Sequence, residues 1–106
     1  MTVINLSDTA AALPAAWRSR VLGRVGTACI KVLRMSELPV EEESHDAPEA
    51  LLVLDGRLEL GLDGGTVTVR AGELFVVPAG TRHAVRPGSR GTLVIVELEE
   101  RTPAAA

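Results

Sequence analysis

Aromatic side chains are scarce in this chain of 106 residues: it has Trp17, Phe75 and no tyrosine. Surfaces that bind RNA or single-stranded DNA usually stack bases on aromatic rings, so this scarcity argues against that class. The eleven Lys and Arg residues are scattered along a chain of net charge -3, and no basic cluster marks a phosphate-binding face. We therefore expect no nucleic-acid partner.

Cysteine occurs once, at Cys29, so an internal disulfide is excluded and the residue is expected in the core. The N-terminus lacks the basic region of a signal peptide, and no apolar run approaches the length of a membrane span. These absences predict a cytoplasmic protein without a membrane partner. The length suits one domain.

Short runs of Val, Leu, Ile and Thr, broken by Gly, Pro, Asp and Ser, fill the chain from Arg20 onward and predict an all-β fold. Before them, Ser7 to Trp17 favours one short helix, capped by Ser7 or Asp8 and limited by Pro14. The predicted strands are Val21–Val25, Ala28–Met35, Val40–Ser44, Ala50–Leu54, Arg57–Leu62, Thr66–Arg70, Leu74–Val77, His83–Arg86 and Thr92–Leu98.

Turn residues separate these strands. Asp55-Gly56 and Asp63-Gly64-Gly65 are typical of hairpins, and Pro78-Ala79-Gly80 of a tight turn. Strands with one apolar face need a second sheet, or closure into a barrel, to bury that face. We expect a helical segment over residues 1–19 that packs on a barrel over 20–100, and a frayed tail over 101–106.

Four side chains suggest a metal site. Glu43 and His45 are two apart on a predicted strand and share a face, Glu49 begins the next strand, and His83 follows the turn at Gly80. If His83 faces the same interior, two imidazoles and two carboxylates meet there. Such a set suits divalent Fe, Mn, Ni or Zn.

The spacing of these residues resembles the paired motifs of the cupin superfamily. The first motif has the form His-x-His, three or four residues, Glu, six residues, Gly; His45, Glu49 and Gly56 match it, and Glu43 replaces the first His. The second has the form Gly, five residues, Pro-x-Gly, two residues, His, three residues, Asn. Its matches are Gly72, Pro78, Gly80 and His83, whereas Pro87 stands at the Asn position.

The resemblance implies an antiparallel jelly-roll barrel (a double-stranded β-helix) of six to eight strands. It also implies a divalent metal in the barrel mouth, a small-molecule ligand and frequent homodimers. Glu43 leaves three alternatives for the metal: two carboxylate ligands, a set of His45, His83 and Glu49 with Glu43 turned to solvent, or no metal at all.

Three kinds of function stay open on the sequence. The first is an enzyme, such as a dioxygenase or an isomerase, that uses the metal on a small polar molecule. The second is a non-catalytic sensor or binding module with a degenerate metal site. The third is a structural dimer in which the site is vestigial. Fold analogy does not choose among them.

Overall fold

The computed structural model describes residues 2–37 and 48–98, which form one short helix and seven β-strands. The elements are α1 (Leu6–Ala11), β1 (Arg20–Val25), β2 (Ala28–Met35), β3 (Glu49–Leu62), β4 (Gly65–Arg70), β5 (Leu74–Val77), β6 (His83–Val85) and β7 (Arg90–Leu98). All strand pairs are antiparallel, so the predicted all-β class is confirmed. The strand predicted at Val40–Ser44 lies outside the described residues.

Strand β3 organises the sheet. The order is β1-β2-β7-β3-β4, and β5 and β6 also pair with β3. The first half of β3 lies between β7 and β5, and its second half pairs with β4 and β6. One strand of 14 residues therefore joins both ends of the barrel.

The hairpin predicted at Asp55-Gly56 is wrong, because both residues lie inside the continuous strand β3. The register of β3 against β7 shifts between Val53 and Asp55, and Gly56 then lies directly opposite Gly91. Both glycines have positive φ, 74° and 100°. The Asp-Gly pair thus allows a bulge and a bend rather than a chain reversal. The hairpin at Asp63-Gly64-Gly65 is confirmed, since Leu62 pairs with Gly65.

The helix is shorter than predicted and begins earlier. It covers Leu6–Ala11, and its N-cap is Asn5, whose Oδ1 accepts a hydrogen bond from the Asp8 amide at 2.9 Å. Pro14 disfavours helical geometry in the residue before it, which accounts for the early end. The Arg34 Nη1 then donates to the carbonyl oxygens of Ala10 at 2.9 Å and Leu13 at 3.0 Å.

Apolar side chains are buried on both faces of the sheet. Successive residues of a strand point to opposite faces, so Val32 and Leu33 of β2 enter different clusters. The outer cluster joins α1 to the sheet through Ala10, Val32 and Val94. The interior cluster consists of Leu33, Met35, Leu51, Val53, Leu58, Leu60, Val69, Val77 and Leu93. Within the described ranges, no helix has the length and apolarity that a membrane crossing demands.

Replacing Gly91 by Ala should destabilise the fold strongly. A Cβ there would lie 2.1 Å from the Asp55 carbonyl oxygen, a backbone atom, in addition to the strain of a φ of 100°. Left-handed strain and overpacking together should cost at least about 3 kcal/mol of unfolding free energy. Urea denaturation measures this loss.

Two glycines serve as controls for Gly91→Ala. Gly64→Ala introduces only a positive φ, with no atom within 4 Å of the new Cβ, and should cost about 1 kcal/mol. Gly23→Ala has neither the φ strain nor a contact and should stay within about 0.5 kcal/mol of the parent. Equal losses for Gly91→Ala and Gly64→Ala would show that the close strand crossing contributes nothing.

Arg34→Met should detach the end of α1 from the barrel. The substitution keeps a long apolar side chain but removes the charged donor from the Ala10 and Leu13 carbonyl oxygens. We expect a loss of about 1.5–3 kcal/mol in unfolding free energy. Arg20→Met, at an exposed position that begins β1, is the control and should change stability by less than about 0.5 kcal/mol. A loss as small as the control's would contradict the capping role.

Candidate functional site

A cavity of about 500 Å³ occupies the barrel and falls within the size range of small-molecule sites. Most of its wall is apolar. This part of the lining comes from the inward-facing side chains of Leu33, Leu51, Leu58, Leu60, Leu93 and Ile95. The cavity also has charged and polar groups on its wall, namely Ser19, Arg24, Lys31, Glu49, His83 and Glu97. The arrangement combines an apolar body with a cluster of polar groups.

Glu49 and His83 meet on this wall. Glu49 is the first residue of β3, paired with Val77 on one side and Glu97 on the other. His83 is the first residue of β6 and pairs with Leu62. Both residues are buried, at 7% exposure, and the His83 Nε2 lies 3.0 Å from the Glu49 Oε1. The fold therefore brings two of the four predicted metal ligands together.

The orientation of the imidazole is set by the turn that precedes it. Gly80 adopts a φ of 72°, and the Thr81 amide donates to the Pro78 carbonyl oxygen at 3.2 Å. The Thr81 carbonyl oxygen then lies 3.0 Å from the His83 Nδ1. A carbonyl oxygen can only accept, so Nδ1 carries the proton and Nε2 is directed at Glu49. Metal-binding histidines are commonly held by such a contact of the second ring nitrogen.

The pair has the donor chemistry and spacing of two metal ligands. Histidine nitrogen and carboxylate oxygen both bind divalent metals at about 2.1 Å, which places two neighbouring ligands at a right angle about 3.0 Å apart. The measured separation of Nε2 and Oε1 is 3.0 Å. The same separation also suits a direct ion pair or hydrogen bond.

Glu43 and His45, the other two predicted ligands, lie outside the described residues. Within residues 2–37 and 48–98, no group of three or more His, Cys, Asp or Glu side chains could hold a metal. The part of the chain that the structure describes therefore supplies two ligands, and a complete metal centre needs donors from elsewhere.

A second polar pair on the cavity wall, Lys31 with Glu97, was not predicted. The Lys31 Nζ contacts the Glu97 Oε1 at 2.5 Å, linking β2 to β7. A signal for it exists in the sequence. Cys29, Lys31 and Leu33 alternate along β2, so Lys31 occupies an inward position between two apolar residues. Such a charge deep in an apolar pattern indicates a polar contact inside the barrel.

Cys29 is buried, as expected for a core residue, yet its side chain lines the cavity. Trp17 also lines the cavity and packs against the interior cluster. Its φ of 65° is unusual for a residue other than glycine, and its backbone amide donates to the Arg34 carbonyl oxygen at 2.8 Å. Its indole Nε1 donates to the Ser36 Oγ at 3.1 Å.

Comparisons with known proteins agree with this architecture. The crystal structure of a cupin-2 domain containing protein from Shewanella frigidimarina has a TM-score of 0.83 and 26% identity, covering 92% of this chain and 95% of that one. The crystal structure of a protein from Neisseria meningitidis has a TM-score of 0.80 and 26% identity, covering 92% of this chain and 100% of that one.

Sequence comparison gives a partial relative and a family. Quercetin 2,3-dioxygenase from Bacillus subtilis is 41% identical over 58 residues, which are 55% of this chain and 16% of that protein. The chain thus spans only a small part of the length of this curated relative. The family model described as Cupin domain matches residues 34–99, more than half of the chain. The chain therefore belongs to the cupin family.

Proposed function

We propose that this cupin binds a small molecule with a polar group in its barrel cavity, beside one divalent metal ion held at the cavity wall. The observation that carries the proposal is the Glu49–His83 pair. It is buried, lines a cavity of about 500 Å³, and has its imidazole oriented by the Thr81 carbonyl oxygen.

Glu49 and His83 are the proposed ligands within the described residues, with Glu43 and His45 as the predicted remaining donors. Divalent Fe, Mn, Ni or Zn fits this mixture of nitrogen and oxygen donors. When bound, such an ion supplies a Lewis acid that polarises an oxygen atom of the ligand. The role of Glu49 is to add negative charge beside the ion, and the role of Thr81 is to hold the imidazole in place.

The leucine side chains around the pair exclude water from the ligand. Leu51, Leu58 and Leu60 are almost fully buried and form part of the wall. An apolar lining lowers the local dielectric constant, which strengthens contacts between charged groups and the polar end of a ligand. The cavity therefore suits a molecule with a polar head and an apolar body.

A dioxygenase or an isomerase reaction is the enzymatic form of this proposal. The partial match to quercetin 2,3-dioxygenase makes oxygen consumption the first reaction to assay. The homodimer and the cytoplasmic location stay predictions, and size-exclusion chromatography with light scattering tests the former.

A second candidate is a metal-free binding protein. The specific observation in its favour is the direct Nε2–Oε1 contact of 3.0 Å, a distance at which the two side chains can share a hydrogen bond without a metal. In this case the cavity holds its ligand through the polar wall alone, and Glu43 marks a degenerate site.

Elemental analysis of protein purified without a metal-affinity tag separates the two candidates. We expect close to one equivalent of Fe, Mn, Ni or Zn per chain in the parent protein. His83→Ala should weaken metal affinity by more than the roughly 10- to 100-fold that loss of an outer-shell partner costs, because a direct ligand is removed. Glu49→Gln should also weaken metal affinity.

Asp63→Asn is the matched control for Glu49→Gln, because it removes one carboxylate charge at an exposed turn residue that does not line the cavity. Its metal content should equal that of the parent. Metal absent from the parent but present in Glu43→His would establish the degenerate site. Metal present at parental levels in His83→Ala would exclude His83 as a ligand.

A further inference from the structure

The Lys31–Glu97 pair is placed where a barrel of this kind would be expected to have apolar side chains. Lys31, the only lysine of the chain, lies on β2 between Cys29 and Leu33, and all three side chains line the cavity. Its β-ladder partner on β7 is Ile95, which also lines the cavity.

A partly buried ion pair is a poor way to join two strands. The side chains of Lys31 and Glu97 are 27% and 21% exposed, so both groups have lost much of their hydration. Removing charges from water offsets most of their attraction, and apolar replacements of similar volume are often as stable or more so. Joining β2 to β7 therefore does not explain the pair, because the ladder between them already extends from Ala28 to Met35.

Glu97 also lies directly opposite Glu49 in the pairing of β3 with β7. Two carboxylates at facing positions on one side of a sheet repel each other unless cations compensate them. Lys31 compensates the charge of Glu97. Arg24 belongs to the same row of paired residues, because Cys29 pairs with Arg24 on β1 and with Glu97 on β7. Around this part of the wall, the charges of Arg24 and Lys31 balance those of Glu49 and Glu97.

The net charge of the cavity wall determines whether the ligand is an anion or a cation, a step that rests on the proposed function. A divalent ion at Glu49 and His83 adds two positive charges to a described lining whose other charges balance, and a carboxylate ligand from Glu43 would cancel only one of them. A positive, partly desolvated cavity attracts an anion and disfavours an amine. The lysine ammonium is a compact positive charge on a flexible stem, so it can attract an anionic ligand without leaving Glu97.

We propose that Lys31, positioned by Glu97, is an anion-binding residue of the cavity, and that the ligand is a small amphipathic carboxylate or enolate. Its anionic head lies between Lys31 and the Glu49–His83 pair. Its apolar body lies against the leucine side chains of the interior. Glu97 is a positioning residue, because it contacts the Lys31 ammonium rather than the ligand.

Three eight-carbon probes that differ only in the head group test the charge of the ligand and the role of Lys31. Octanoate, octan-1-ol and octylamine are titrated into the metal-containing protein, and binding is followed by the fluorescence of Trp17, the only tryptophan, which lines the same cavity. The variants are Lys31→Met and the double variant Lys31→Met/Glu97→Met, which removes both charges of the pair together. Arg70→Met removes one exposed cation outside the cavity lining and is the control.

For the parent and Arg70→Met, we expect octanoate to bind at least about tenfold more tightly than octan-1-ol, and octylamine to bind most weakly. In Lys31→Met and in the double variant, the ratio of the octanoate and octanol affinities should fall close to one. The urea midpoint of the double variant should equal or exceed that of the parent.

Two results overturn the inference. A ratio preserved in the double variant would show that Lys31 does not bind the anion, and tighter binding of octylamine than of octanoate by the parent would show that the carboxylates govern the cavity. The metal content of each sample separates this failure from that of the proposed function. If the parent protein contains metal but does not prefer octanoate, the anion site at Lys31 is refuted and the proposed metal is not. If the parent protein contains no metal but prefers octanoate, the proposed metal is refuted and the anion site is not.

Discussion

The close crossing of β3 and β7 at Gly56 and Gly91 is the constraint on which the rest of the structure depends. Each glycine has a positive φ, and a Cβ on either would lie about 2 Å from a backbone oxygen of the other strand. This contact lets β3 bend without breaking. The bend lets the first half of β3 carry Glu49 to the wall of the cavity while the second half pairs with β6, which carries His83. The candidate site is therefore a consequence of strand geometry.

The interior of this barrel combines the favourable burial of apolar side chains with the unfavourable desolvation of polar ones. Leucine and valine side chains bury apolar area, which stabilises the fold, while the polar pairs Lys31–Glu97 and Glu49–His83 lose hydration inside the same space. Buried pairs of this kind contribute little net stability. Their presence on a cavity wall is better explained by a ligand that interacts with them, as in many sites where a few polar groups orient a molecule within an apolar pocket.

The two pairs are neighbours because Glu49 and Glu97 face each other across the β3–β7 ladder. A change in charge at one pair therefore acts on the other, since both carboxylates share a partly desolvated region. In this arrangement a metal ion at Glu49 and His83 and an anion at Lys31 would reinforce each other. The proposed metal and the proposed ligand class are thus linked by the electrostatics of one row of side chains.

The sequence by itself determined the all-β class, the hairpin at Asp63-Gly64-Gly65 and the turn before His83, because these depend on local backbone preferences and on alternation of apolar residues. It also predicted that Glu49 and His83 share a site, and the structure brings them to 3.0 Å. Only the tertiary structure decided that Asp55-Gly56 is a bend within β3, because an Asp-Gly pair suits a hairpin and a bulge equally and the facing Gly91 selects the bulge. Likewise, the contact of Lys31 with Glu97 depends on the register of β2 against β7, a pairing of residues distant in the chain that no local pattern specifies.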